Sequence, residues 1–151
     1  MEKLLEAQPL FQLARESAMR VEGRKALILA TAALCRLALP MLPEKLLRED
    51  GGELEMGLIR MAERWALGEG TLGVYTNTEK AAQLAKARGP ITGAIAELLH
   101  LSFLANAKAD PDELQEGTRR VLEALRASDG VWAVVAPRIS IIVTLHHPKE
   151  R

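Results

Sequence analysis

The chain has 151 residues, and its 20 Lys and Arg are cancelled by 20 Asp and Glu. That length suits a single domain with its own core, and a neutral balance argues against a nucleic-acid partner, whose binding would rest on cationic surface. Hydrophobic residues make up 48% and aromatic residues only 3%, with Leu and Ala dominant, which favours closely packed helices over a β-sandwich.

In chain order, Leu4, Leu5, Leu10, Leu13, Ala14 and Met19 alternate with charges, and Pro9 separates a short first turn from a helix at about 10–21. The cluster Arg15, Arg20, Arg24 and Lys25, diluted by Glu16 and Glu22, reads as a solvated face. Gly23 breaks the pattern. Residues 24–39, "RKALILATAALCRLAL", are apolar nearly all round, as in a helix at the centre of a bundle. Pro40 and Pro43 end it, and "PEKLLRED" has the proline-first look of a short helical turn.

Gly51–Gly52 is the next break. In "ELEMGLIRMAERWALGEG", Leu54, Leu58, Met61 and Trp65 recur at helical spacing and predict the core stripe of an amphipathic helix. Gly68 and Gly70 finish it. "EGTLGVYTNT" is irregular, with Asn77 or Thr78 able to cap the helix "EKAAQLAKAR", which stops at Gly89. Pro90 suits the first position of the following helix. Asp110-Pro111-Asp112-Glu113 is a start signal, with Asp as cap and Glu three residues on. That helix places Leu114, Val121, Leu122 and Leu125 on one side as far as Ser128. "VWAVVAPRISIIVTLHHPKER" is rich in β-branched residues; because a lone strand would have no partner, the expectation is a helix kinked at Pro137.

The candidate chemistry is sparse. Glu97 and His100, three residues apart, have the spacing of two metal ligands on a helix. Di-iron bundles need two such motifs plus further carboxylates, and only one is present. Glu97 and His100 therefore read either as half of a divalent-metal site or as an internal polar contact, since buried charges are normally paired. His146–His147 read as a solvated end, and Trp65 as a packing residue. With Cys35 the only cysteine, no intramolecular disulfide can form, and the expectation is an inert buried thiol. No nucleophile elbow, phosphate loop, dinucleotide fingerprint, His-Glu-x-x-His or paired Cys-x-x-Cys occurs. A charged N-terminus without a signal-like core and the lack of eighteen uninterrupted apolar residues lead to the expectation of a cytoplasmic protein that does not enter membranes. The excess of Arg over Lys and the scarcity of Asn and Gln fit either a high-temperature lifestyle or GC-rich coding. The C-terminal segment carries more apolar residues than one amphipathic helix needs, so Trp132, Val135, Ile139 and Ile142 are candidates for either core or a homodimer interface.

The runs "CRLALPMLPEKL", "GLIRMAERWALGEG", "EKAAQLAKARG" and "GAIAELLH" resemble, in order and spacing, bacterial helical domains described as immunity proteins of the fifth class. Trp65, Gly68, Glu69, Gly93, Ala94 and His100 match that family's places over residues 33–105. The second histidine of the family pattern is replaced by "LSFLANA", and the C-terminal third departs from it. The resemblance implies an all-helical fold and neutralisation of a toxin by binding. The combined expectation is one all-α bundle of about six to eight helices, with 24–39 and 90–107 innermost. It would be a non-enzymatic interaction or structural protein, with a metal- or small-ligand-binding bundle at Glu97 and His100 as the alternative.

Overall fold

The structure, a computed structural model, describes residues 5–69, 78–107 and 110–147. Among these residues every regular element is helical: α1 Gln8–Ser17, α2 Val21–Ala38, α3 Glu44–Asp50, α4 Glu53–Ala66, α5 Thr78–Arg88, α6 Pro90–Asn106, α7 Pro111–Arg126, α8 Asp129–Val135 and α9 Ile139–His146. A 3-10 turn at Ala136–Arg138 carries α8 into α9 as one bent helix at Pro137. The fold is an all-α bundle.

Helices α2 and α6 form its centre, α2 touching α1, α4, α6, α8 and α9, and α6 touching α2, α4, α5 and α7. Both bury residues on nearly every side, as their unbroken apolar runs predict. Three buried hydroxyls, Thr31 on α2, Ser102 on α6 and Thr118 on the neighbouring α7, each donate to the carbonyl one turn back, of Leu27, Leu98 and Leu114. A buried hydroxyl therefore adds no orphaned donor to the core.

Helix ends follow the local chemistry. Gly51 and Gly52 both take positive φ, 64° and 76°, and let the chain reverse between α3 and α4. At α7 the carboxylate of Asp110 accepts from the backbone N–H of Glu113 at 2.8 Å, while the Asp110 N–H donates to the Glu113 side chain, the reciprocal capping expected there. Of the two caps expected for α5, Asn77 lies outside the described residues, and Thr78 is the first residue of the helix.

Three expectations need correction. Gly23 does not break the chain but lies in the first turn of α2; the break is at Arg20, whose backbone is extended (φ −125°, ψ 128°). Arg24 is not on a solvated face: it is buried, its Nε donating to the Ala105 carbonyl and its Nη1 to the Ala18 carbonyl, both at 2.7 Å. Those carbonyls lie at the last turn of α6 and just after α1, where unpaired oxygens and the negative helix end favour a cation. Finally, α4 buries Glu55, Ile59, Ala62 and Ala66, while Leu58, Met61 and Trp65 are only half-buried and Leu54 is exposed. The helix is turned by about one residue (~100°) from the orientation that its largest apolar side chains suggest. Small Ala62 and Ala66 let α4 approach α2 and α6, and Glu55 is drawn inward by an ion pair described below.

Candidate functional site

Glu97 and His100 lie on the outer half of α6, where both are half-buried. One turn before them, Gly93 admits α5 so closely that a Cβ there would stand 2.6 Å from the Ala85 Cβ. Oε1 of Glu97 is buried and receives no hydrogen bond among the described residues. Burial pushes its carboxyl above the ordinary range, opposed by the positive charge of Arg120 on α7. Among the described residues no group of three or more His, Cys, Asp and Glu side chains is placed to hold a metal ion. The tail histidines are elsewhere engaged: Nδ1 of His146 lies 3.0 Å from the Ile142 carbonyl, and His147 is exposed at the end of α9.

An open groove of about 310 Å³ lies between the end of α6 and the start of α7, lined by Leu104, Asp110, Asp112, Glu113, Glu116 and Arg120 and by neither Glu97 nor His100. Its acidity has internal uses. Asp110 and Glu113 cap α7; Asp112 pairs with Arg15 of α1 at 2.7 Å; Glu116 pairs with Arg119 and Arg120 along its own helix. These contacts set the geometry of the α6–α7 corner.

The most buried charge cluster is one that spacing alone did not reveal. Arg88, the last residue of α5, donates from Nε to Oε2 of Glu55 at 2.8 Å and from Nη2 to Oε1 at 3.0 Å, and reaches Oδ2 of Asp50 at 3.0 Å. Thr92 of α6 donates its hydroxyl to the same Glu55 oxygen. Burial alone would raise the Glu55 carboxyl, but the hydrogen bonds from Arg88 and Thr92 outweigh it and hold the group below the ordinary carboxylate range. Asp50 is held low chiefly by the Gly52 backbone N–H, and further by Arg88. The cluster ties α5 to the α3–α4 corner. In the sequence Arg88 shows only a cation suited to a helix C-terminus, and nothing in the spacing joins it to Glu55.

A second pair, Arg36 and Glu63, is bidentate at 2.6 Å for both bonds and joins α2 to α4. Below it Cys35 is fully buried, its thiol pushed up to about 12 by burial and by the charge of Glu63. Burial and the neighbouring carboxylate both disfavour the thiolate, the form a cysteine nucleophile needs.

The C-terminal candidates divide by direction. Val135 and Ile139 are fully buried in the chain's own core, whereas Trp132 and Ile142 are half-buried. The outermost side chains are their neighbours Ile141, 61% exposed, and Leu145, 73% exposed, one turn apart. Leu5, also exposed, lies on the 3-10 turn Leu5–Ala7 that packs on α9. Apolar surface is thus gathered at one end of the bundle, with Arg138 beside it donating to its own helix at the Val134 carbonyl. Comparison with known proteins gives no match to a family model, a curated protein or a solved structure.

Proposed function

We propose that this protein acts by binding another protein chain, through the outer face of α8–α9, and that the first occupant of that face is a second copy of itself. The observation that carries the reading is the pair Ile141 and Leu145, large, apolar and exposed side by side on a helix whose other side is anchored in the core. The face offers little charge to select an oppositely charged partner, and Ser140 and Thr144 beside it tolerate their own copies. An isologous pairing would place four such side chains in one contact. Covering each gains roughly 1–2 kcal/mol before the costs of association.

Helix α8–α9 also has the length and composition of a bilayer span, 18 residues at a mean hydropathy of 1.2. Its inner residues Val131, Val135, Ile139 and Val143 instead pack in the bundle, which favours a protein partner over lipid. The resemblance to immunity domains, through Trp65, Gly68 and His100, suggests a toxin chain as a further partner.

The test is light scattering on the untagged chain. A mass of twice 16.5 kDa, returned to monomer by Ile141→Asp with unchanged helicity, supports the proposal. A monomer at tens of micromolar, or co-sedimentation with neutral lipid vesicles lost in the same variant, overturns it.

One observation favours a second reading, ligand binding at Glu97 and His100: the buried Oε1 of Glu97 has no hydrogen-bond partner among the described residues. Iron, zinc or manganese bound at stoichiometry in untagged protein, and lost in His100→Ala, would support it; metal-free protein that gains none on titration would dismiss it.

A further inference from the structure

Helix α5 is attached to the bundle differently from the others. It packs chiefly on one neighbour, α6. Glu79, Lys80, Ala82, Gln83, Lys86 and Ala87 face solvent, Ala81 is its one fully buried hydrophobic residue, and Leu84 and Ala85 are half-covered. Eleven residues are too few to hold a helix unaided in water, so α5 persists only while docked. Two features dock it: the close approach of Ala81 and Ala85 to Gly93, and the Arg88 clasp to Glu55 and Asp50. Gly89, at φ 107°, joins it to α6 through a backbone conformation that other residues rarely adopt.

We infer that α5 is a detachable cover on the Gly93 side of α6, held by the Arg88 clasp, and that it opens as a unit while the rest of the bundle stays folded. Gly93, Glu97 and His100 recur at i, i+4 and i+7, so they share one side of α6. Undocking α5 bares that side and brings Glu97 and His100 toward solvent. The clasp makes the step cooperative, because Arg88 cannot leave without depriving the buried Glu55 carboxylate of both guanidinium bonds. Regions that open below the global unfolding free energy are those with few buried apolar contacts and much exposed backbone, and α5 meets that description while α2 does not.

Two buried positions report the two kinds of opening. Cys35, in the middle of α2, becomes reactive only when the bundle itself opens. Ala81, buried on α5 with its carbonyl beside Gly93, reports the undocking of α5 when replaced by Ala81→Cys in a Cys35→Ala background. Labelling by a thiol reagent in excess, under native conditions, is compared with Cys35 in the natural chain. The proposal expects Ala81→Cys to label at least ~10-fold faster, the span between local and global opening. Arg88→Gln should accelerate it a further ~10- to 100-fold, as for loss of charge-assisted hydrogen bonds, with a smaller effect on Cys35. Asp50→Asn, which leaves the Glu55 pair intact, should give an intermediate acceleration and serves if Arg88→Gln does not fold. Hydrogen exchange on the natural chain should show α5 amides exchanging ahead of those in α2 and α6. Equal labelling at both positions, or a clasp variant that speeds both by the same factor, overturns the proposal.

Discussion

Replacing Glu55 by Gln keeps its shape and removes its charge at the one carboxylate, among the described residues, whose side chain is fully buried. Two charge-assisted bonds from Arg88 and one from the Thr92 hydroxyl are lost or weakened. Breaking a buried pair while leaving its partner costs about 3–5 kcal/mol. Here Arg88 is partly exposed and keeps Asp50, and a neutral amide is less costly to bury, so about 2–3 kcal/mol is the expected loss. In a domain of this size that corresponds to a fall of roughly 5–10 °C in Tm. The sign of the pH dependence follows from the direction of the shift. Glu55 is held below its unfolded value of about 4.3, so its contribution is complete above that pH and fades as pH falls through the folded value. Urea melts of the two proteins should therefore differ fully at pH 7 and converge in acid. A loss under about 0.5 kcal/mol, typical of a surface change, or a difference independent of pH, would refute the account of Glu55 as an ionised, paired carboxylate.

Glu97→Gln should act in the opposite sense. Burial raises the Glu97 carboxyl, so ionising it in the fold carries a cost that vanishes below its unfolded pKa, and the variant should gain stability at pH 8 relative to pH 4 in the same melts. Gly93→Ala should destabilise by about 1–3 kcal/mol through overpacking against Ala85, and Ala85→Gly should recover part of that loss in thermal melts; no loss in the single variant would mean that the helices can separate freely. Asp110→Ala removes the α7 cap and should cost about 1 kcal/mol by urea titration. Arg24→Met leaves the Ala18 and Ala105 carbonyls without their donor and should cost about 2–4 kcal/mol; a neutral result would show that water replaces the guanidinium.

Much of the architecture was legible because it rests on local chemistry. Pro90, Asp110 with Glu113, and the Gly51–Gly52 reversal act within a turn of themselves, and the structure places helix ends at each. The central positions of α2 and α6 were legible for a similar reason, since a segment apolar all round has only the interior to occupy. The bend at Pro137 followed from its missing N–H and ring.

Where local rules allowed two answers, distant residues chose. On α4 the sets Leu54, Leu58, Met61, Trp65 and Glu55, Ile59, Ala62, Ala66 have the same helical spacing. Side-chain size favours the first, whereas the structure buries the second. That choice depends on Arg88 and Thr92, 33 and 37 residues away, and on how closely α4 can approach its neighbours. Arg24 likewise reads as one of four surface cations until the ends of α1 and α6 are brought to it. For Glu97 and His100, sequence determined that they share a helix side and that a second Glu-x-x-His is missing. Their partial burial, the unpaired oxygen and the neighbouring α5 are properties of packing. Sequence by itself thus determined which segments are helices and, the α1–α2 junction apart, about where they stop, because hydrogen bonding and side-chain entropy act over a few residues. Only the tertiary structure decided which polar groups are buried and paired, because that free energy depends on partners brought together from far along the chain.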